Sequence, residues 1–468
     1  MQVSGEGGTL ARFGTFYLYR PLCKNTSEVR MLRVLVRSFA LVGIAALTAC
    51  QGSMGSNAMM PSSASGAGAF PMAAGDGEIP LTRAGAVNRV CPEVNDPGQM
   101  RCFALERSDL RRNDENPNAT HAGYGPDDLK AAYNLPQGKP TLIAIVDAYG
   151  YPKASADLAA YRSYYKFAAC TTGNGCLRIR NQTGGTNPPP TDASWSGEQA
   201  LDLDMASALC QACKLLLIQA NSNSGANLYA AVAEAVKLGA VVISNSYGIS
   251  ESRSCQGGGQ ASNSTFSTPG HTFVAAAGDL GGGLLDCGGP QQPCSLSTVV
   301  CVGGTRLVKS NTKRGWSETV WNELADDFCN GSCGGTGSGC STVVKKPSWQ
   351  TDTGCKNRSE SDVSAEASVL TPVAVYFSGY GGWTAFGGTS ASTPIIAGII
   401  GRAGNGATIN APQHIWLNKA HLYDITSGNN VYAQVTGACA SAVHYICYAQ
   451  AGYDGPTGLG TPNGLGAF

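Results

Sequence analysis

The chain has 468 residues and no formal net charge, with 32 Lys and Arg against 32 Asp and Glu. Charged residues make up 14%, against about 25% in ordinary globular chains, and the absence of a basic surplus argues against a nucleic-acid partner. The length suits two or three average domains or one large α/β domain, while 61 Gly and 18 Cys suit an exported, loop-rich protein.

Residues 1–30 precede a second Met and read as an upstream translation artefact. Met31-Leu-Arg-Val-Leu-Val-Arg37 is a short basic stretch, and Phe39 to Leu47 is apolar but too short to span a bilayer. Residues 31–50 therefore read as a signal peptide. It ends in Leu47-Thr48-Ala49-Cys50, which resembles the bacterial lipobox, where the Cys becomes lipidated. An ordinary cleavage site with a chance Cys is the alternative. Gln51, by resemblance to the bacterial sorting rule, favours an outer-membrane or surface destination; simple secretion is the other outcome. Residues 51–79 are Gly, Ser, Ala and Met with almost no charge, a flexible tether. Residues 80–123 hold two Cys and a charged stretch, and read as a short disulfide-closed extension or a remnant pro-segment.

Globular organisation is expected from residue 124 to 468. Tyr124 to Tyr133 reads as a short capped helix. Thr141-Leu-Ile-Ala-Ile-Val146 is a continuous apolar run rich in β-branched residues, as in a strand buried on both faces. Helices are expected over Ala154–Phe167, Ser196–Cys210 and Ala226–Leu238, and strands over Lys214–Gln219, Ala240–Asn245 and Thr272–Ala277. This alternation predicts an α/β fold with a mostly parallel central sheet flanked by helices. Asp147, Asn245, Asp279 and Ser390 all follow or end apolar runs, so they share the edge where open α/β sheets carry their sites. Close cysteines such as Cys91/Cys102, Cys170/Cys176, Cys210/Cys213 and Cys439/Cys447 could close small loops. The cluster Cys329, Cys333, Cys340 and Cys355 matches no zinc spacing well and has no nearby His.

Gly387-Gly-Thr-Ser-Ala-Ser-Thr-Pro394 leads into the apolar segment Pro394 to Ile400. A Pro in a first helical turn is favoured, so Ser390 is placed at the start of a buried helix. Its hydroxyl and N–H then face the positive end of the helix dipole, where a nucleophile and an oxyanion donor work together. None of the five His residues stands in a setting that would serve Ser390 as base. Glu198 and Asp202 offer another base. They are four apart on an apolar helix, so both carboxyls lie on one face, about 5–6 Å apart at Cβ. Such a pair can share a proton, one carboxyl tuning the other. Asp279 sits at the tip of Phe273-Val-Ala-Ala-Ala-Gly-Asp279 and, when protonated, can donate to an oxyanion.

These three stretches together are similar to the signatures of the sedolisins, the serine-carboxyl peptidases, and occur in that family's order. Gly125 to Tyr133, Ser244-Asn-Ser-Tyr-Gly248 and Asp362-Val-Ser364 also look like it. The resemblance covers roughly residues 124–468 and implies a subtilisin-like domain. It implies Ser390 as nucleophile, Glu198 as general base, Asp202 as its proton-sharing partner and Asp279 as oxyanion donor. It further implies one structural calcium ion held by Asp424 and Asp454 carboxylates and by carbonyls of Ile425, Gln450 and Gly452. Gln450 departs from the Gly usual at that position. The extension before residue 124 is shorter than the family's folded propeptide. The expectation is an exported, acid-active serine endopeptidase, a monomer acting on protein or peptide substrates, touching a membrane only through Cys50. The rival is a catalytically silent surface lipoprotein that binds peptides or partners through the same fold.

Overall fold

The structure, a computed structural model, describes residues 78–79, 86–94, 96–112, 116–252, 259–260, 262–282, 289–324, 332–431, 439 and 441–468. The signal-peptide and lipobox readings lie outside these residues, as does the tether except for Glu78 and Ile79; the Ile79 N–H donates to the Leu370 carbonyl at 2.8 Å. Among the described residues, no helix is long and apolar enough to cross a membrane.

The elements that position the site are, in chain order, β1 (Val87–Arg89), β2 (Arg101–Cys102), β3 (Leu105–Arg107), α1 (Pro126–Ala132), β4 (Leu142–Ala148), α2 (Ala154–Tyr164), β5 (Leu177–Asn181) and α3 (Ala193–Leu209). They continue with β6 (Lys214–Ala220), α4 (Gly225–Lys237), β7 (Val242–Asn245), β8 (Tyr247–Ser250), β9 (Thr272–Ala276), β10 (Val299–Lys309), β11 (Trp316–Val320), β12 (Val363–Glu366), β13 (Val373–Phe377), β14 (Gly382–Gly387) and α5 (Thr389–Ala403). The central sheet runs β11-β10-β9-β7-β4-β6-β5, with β12 also on β10. Every pairing in it is parallel except β10 with β11. The apolar run in β4 is buried throughout Ile143 to Val146, as a strand covered on both faces requires. The fold is thus the mostly parallel α/β arrangement expected.

Local chemistry sets the helix ends. Asp192 caps α3 by accepting the Trp195 N–H at 3.0 Å, and Ser224 caps α4 through the Asn227 N–H. All residues of α3 from Trp195 onward are buried, so its acids face protein rather than water. Pro394 is not in the first turn of its helix. The helix starts at Thr389, and Pro394 stands one turn further in, where its missing N–H leaves the Ser390 carbonyl without the usual helical partner. Gly388, with a positive φ of +91° that favours glycine, makes the turn from β14 into α5, and this brings Ser390 to the second helical position.

One finding differs from the sequence-based layout, and one agrees with it. Order begins before residue 124: β1 and β3 join β14 and β13 in a second sheet, β1-β3-β14-β13, and β2 pairs antiparallel with β8. The cysteine cluster is not a zinc site, because Cys340 is bonded to Cys355 and Cys333 is also in a disulfide. The four close pairs anticipated are all closed as disulfides, and Cys294–Cys301 is a further one.

Candidate active site

The C-terminal ends of β4 and β7, the loop after β9, the inner face of α3 and the start of α5 converge on Ser390. Its Oγ donates to the Ser246 carbonyl at 3.0 Å and accepts the Phe103 N–H at 2.9 Å. Ser246 follows β7 and ties two parts together, since its own hydroxyl donates to Asp202 Oδ1 at 2.8 Å. Glu198 and Asp202 are fully buried on one face of α3.

Both Glu198 oxygens and Asp202 Oδ2 lack a hydrogen-bond partner. Burial pushes the Glu198 carboxyl well above the usual carboxylate range, and the charge of Asp147 adds to the push. The Ser390 hydroxyl and the Ala104 N–H oppose it; they stand close enough to favour the charged form, though neither closes a bond of ordinary geometry. Asp202 is raised likewise by burial, then by Asp147 and Glu198. Asp147, at the end of β4, is a third acid that the sequence placed at the sheet edge without a role. It is fully buried, neither oxygen has a partner, and burial pushes it up to about 8. Three carboxyls thus share one dry space, and they can be held there only by retaining protons between them. Asp204, on the same helix, is separate: it accepts the Tyr376 N–H at 2.9 Å and anchors β13.

Asp279 lies across from this cluster. Its Oδ1 accepts both the Thr389 N–H at 2.9 Å and the Thr389 hydroxyl at 2.7 Å, which fixes the carboxyl plane. Oδ2 is buried, has no partner and faces the turn at Gly388; a Cβ built on Gly388 would stand 2.8 Å from it. Burial pushes Asp279 up to about 6, held back by the two Thr389 bonds and by the charges of Arg89 and Arg101. A proton on Oδ2 would therefore be aimed at the space in front of Ser390.

None of the five His residues bonds Ser390. His121 packs among Tyr164, Tyr165 and Trp383, and His271 sits at the start of β9, on the opposite edge of the sheet.

The structure also gathers the five expected metal-site residues at the C-terminal corner. Gly452 N–H donates to Asp424 Oδ2 at 2.8 Å and Gln450 N–H to Asp454 Oδ2 at 3.1 Å. Asp454 is buried and pushed up to about 7 by that burial, with the Asp424 charge adding to the shift despite the Thr457 and Gln450 bonds that favour its charged form. The Asp424 and Asp454 carboxylates lie close enough to repel, and their oxygens are of the hard kind that suits calcium. Cys294, Cys301 and Glu360 also lie together, but the two thiols are joined in a disulfide and offer no ligand.

A profile of the subtilase family matches residues 193–435. Kumamolisin from Bacillus sp. (strain MN-32) is 29% identical over 426 residues, covering 85% of this chain and 73% of that protein. Sedolisin from Pseudomonas sp. (strain 101) is 29% identical over 378 residues, covering 73% of this chain and 60% of that protein. Among solved structures, Pseudomonas sedolisin, a serine-carboxyl proteinase complexed with two molecules of pseudo-iodotyrostatin, matches with a TM-score of 0.60 and 27% identity. That match covers 74% of this chain and 96% of that one.

Proposed function

The chain belongs to the subtilase family, and from that premise we propose that it is an acid-active serine-carboxyl endopeptidase working through an acyl-enzyme on Ser390. Its relatives are serine-type peptidases of the sedolisin kind. The observation that carries the reading is a nucleophile beside a buried carboxyl cluster, with no His among its partners.

In this reading Glu198 takes the Ser390 proton as Oγ attacks the scissile carbonyl. Asp202 and Asp147 keep the remaining protons of the cluster, so that Glu198 can cycle between base and acid without leaving an extra buried charge. The protonated Asp279 Oδ2 and the Ser390 N–H, which a first-turn position leaves unpaired, receive the developing oxyanion. Glu198 then protonates the leaving amine, and water hydrolyses the ester. Asp279 loses its proton above about 6, so activity belongs to acidic pH. A calcium ion held by Asp424, Asp454, Ile425, Gln450 and Gly452 would neutralise the C-terminal acids and stiffen that loop.

Export is part of the same proposal. It rests on the apolar stretch before Cys50 and on disulfides of a kind that persist in oxidising compartments. Incorporation of labelled fatty acid that is lost in Cys50→Ser would support the anchor; equal labelling of both chains would mean another anchor, and none in either simple secretion.

The enzymatic reading is tested by incubating the protein with a denatured substrate across pH 3–8 and identifying products by mass spectrometry, beside labelling with an aldehyde or serine-directed probe. Acid-limited cleavage and label on Ser390 are expected. Neither product nor label would favour the silent peptide-binding lipoprotein. A rate that climbs towards alkaline pH would indicate a His-type mechanism.

A further inference from the structure

Residues 99–107 lie in the cleft in the manner of a peptide being read. Met100 is clamped by the Asn223 backbone and side chain, its N–H donating to Asn223 O and its carbonyl accepting from Asn223 Nδ2, both at 2.8 Å. Gln99 bridges Ser224, and Arg101 and Cys102 pair with Gly248 and Tyr247. The segment is thus the middle strand between two walls, the geometry by which an extended peptide adds to a sheet edge. The Phe103 ring fills a pocket at Gly248 and Gly278. Cβ atoms built on those glycines would stand 3.0 Å and 3.6 Å from the ring, and the Gln291 side chain closes it.

The peptide bond between Phe103 and Ala104 meets every reacting group. The Phe103 carbonyl oxygen occupies the space in front of Gly388 that Asp279 Oδ2 faces, so closely that a Cβ on Gly388 would overlap it. The Phe103 N–H reaches Ser390 Oγ. The Ala104 nitrogen, which would be the leaving amine, faces Glu198. Beyond it, β3 is held between β1 and β14.

This arrangement is braced on both sides of that bond. Cys91 is bonded to Cys102, immediately before Phe103. Val90, next to Cys91, donates its N–H to the Ala104 carbonyl at 3.0 Å, and β1 pairs with β3 at three positions from Val87↔Arg107 to Arg89↔Leu105. One short piece of chain therefore grips the acyl side covalently and the leaving side by a ladder.

We propose that the segment from Gln99 to Arg107 is a resident inhibitor of the chain's own active site, locked by the Cys91–Cys102 disulfide and presenting Phe103–Ala104 as the bond to be cut. The proposal rests on the peptidase reading above. Attack by Ser390 Oγ on the Phe103 carbonyl carbon breaks the bond to the Ala104 nitrogen, with Glu198 delivering the proton it took from Ser390. While the brace holds, that amine stays beside the ester, re-attacks it and returns its proton to Glu198, which regenerates the peptide bond and excludes water. Preorganisation of both fragments makes the reverse step effectively unimolecular. Without the brace the amine leaves, water hydrolyses the ester, and the segment becomes a substrate. The pocket around Phe103 also implies that peptides cut in trans carry a large apolar residue before the scissile bond.

The test compares the full-length wild type with the double variant Cys91→Ser/Cys102→Ser and with Phe103→Asp, which leaves the disulfide and empties the pocket. All are purified without reductant and checked by melting curve. The readouts are intact mass, the N-terminal residue, and turnover of an external peptide with Phe before the scissile bond. The wild type should stay uncut between Phe103 and Ala104 and turn over slowly. The double variant should gain a chain beginning at Ala104, and both variants should gain at least tenfold in kcat/KM. Uncut variants turning over at the wild-type rate would overturn the inhibitor, as would a wild type cut at once. If no chain turns over the peptide and none is labelled at Ser390, the peptidase reading itself fails; label with equal, unblocked turnover in all three sinks only the segment's role. Where the double variant does not fold, Phe103→Asp decides alone.

Discussion

Replacing Asp279 by Asn separates the two things its carboxyl would do at once, carrying a proton and pointing it. The structure dictates how the amide sits. Thr389 donates to Oδ1 twice, through its N–H at 2.9 Å and its hydroxyl at 2.7 Å, while that hydroxyl oxygen itself accepts the Gly278 N–H at 3.1 Å. The amide oxygen must therefore take the Oδ1 place, and the NH2 the Oδ2 place beside Gly388, where a donor is wanted. With Asp279 titrating at about 6, roughly nine-tenths of it is protonated at pH 5 and roughly one-tenth at pH 7, so wild-type kcat/KM falls about tenfold per unit above 6. The Asn variant has no such limb and should stay level from pH 5 to pH 7, crossing above the wild type as pH rises. Asp279→Ala removes the donor and should lose on the order of 10²–10³ at every pH. The assay is kcat/KM against pH for the three proteins on one peptide. If Asn and Ala are equally poor throughout, or Asn keeps the wild-type alkaline limb, Asp279 is not the donor.

Glu198→Ala and Ser390→Ala should each abolish turnover in a folded protein, and the double variant should be scarcely worse than either, since parts of one unit do not multiply; multiplying losses would separate them. A chelator should lower the melting temperature and Asp454→Ala should remove that sensitivity, because an ion bound only to the folded chain stabilises it by mass action; a curve indifferent to both calcium and chelator would refute the site. Asp147 and Asp279 keep their protons in the folded chain up to about 8 and about 6, whereas the unfolded chain releases them near 4. The folded state thus binds more protons between these limits, so their contribution is full below pH 4 and is lost as pH rises towards 8. Melting temperature should decline over that range, and Asp147→Asn should flatten the decline; an unchanged slope would show that Asp147 does not carry it.

How much could be read from the sequence depends on how local each feature is. The β4 run and the i,i+4 spacing of Glu198 and Asp202 are properties of a few consecutive residues, and the structure keeps both. Ser390 at the head of its helix was legible too, although Pro394 marked the second turn rather than the first. Asp147 was visible only as an acid ending a strand, a common arrangement. Its meaning comes from α3 packing over β4, which puts three carboxyls from two distant elements into one space. The segment around Phe103 was the least legible. Its strands are two or three residues long, and their partners lie far along the chain, Gly248 opposite Arg101 and Gly387 opposite Leu105. No periodicity announces a strand whose neighbours are the walls of a cleft.

The same burial that would make these acids useful also makes them costly, and this ties catalysis to stability. A carboxylate moved into a dry space without a partner is penalised unless it keeps its proton. Asp147, Glu198 and Asp202 have no cation among the causes of their shifts, so protons alone neutralise them. Asp279 is different, since Arg89 and Arg101 pull it down. Arg101 belongs to the resident segment, and Arg89 to β1, which braces it. While that segment is seated, its Arg101 charge offsets a small part of the burial that keeps Asp279 protonated. When it leaves, the Arg101 charge leaves with it, and one of the pulls on the Asp279 proton is removed. A seated segment therefore weakens the donor slightly as well as blocking other peptides, and its departure strengthens that donor for them.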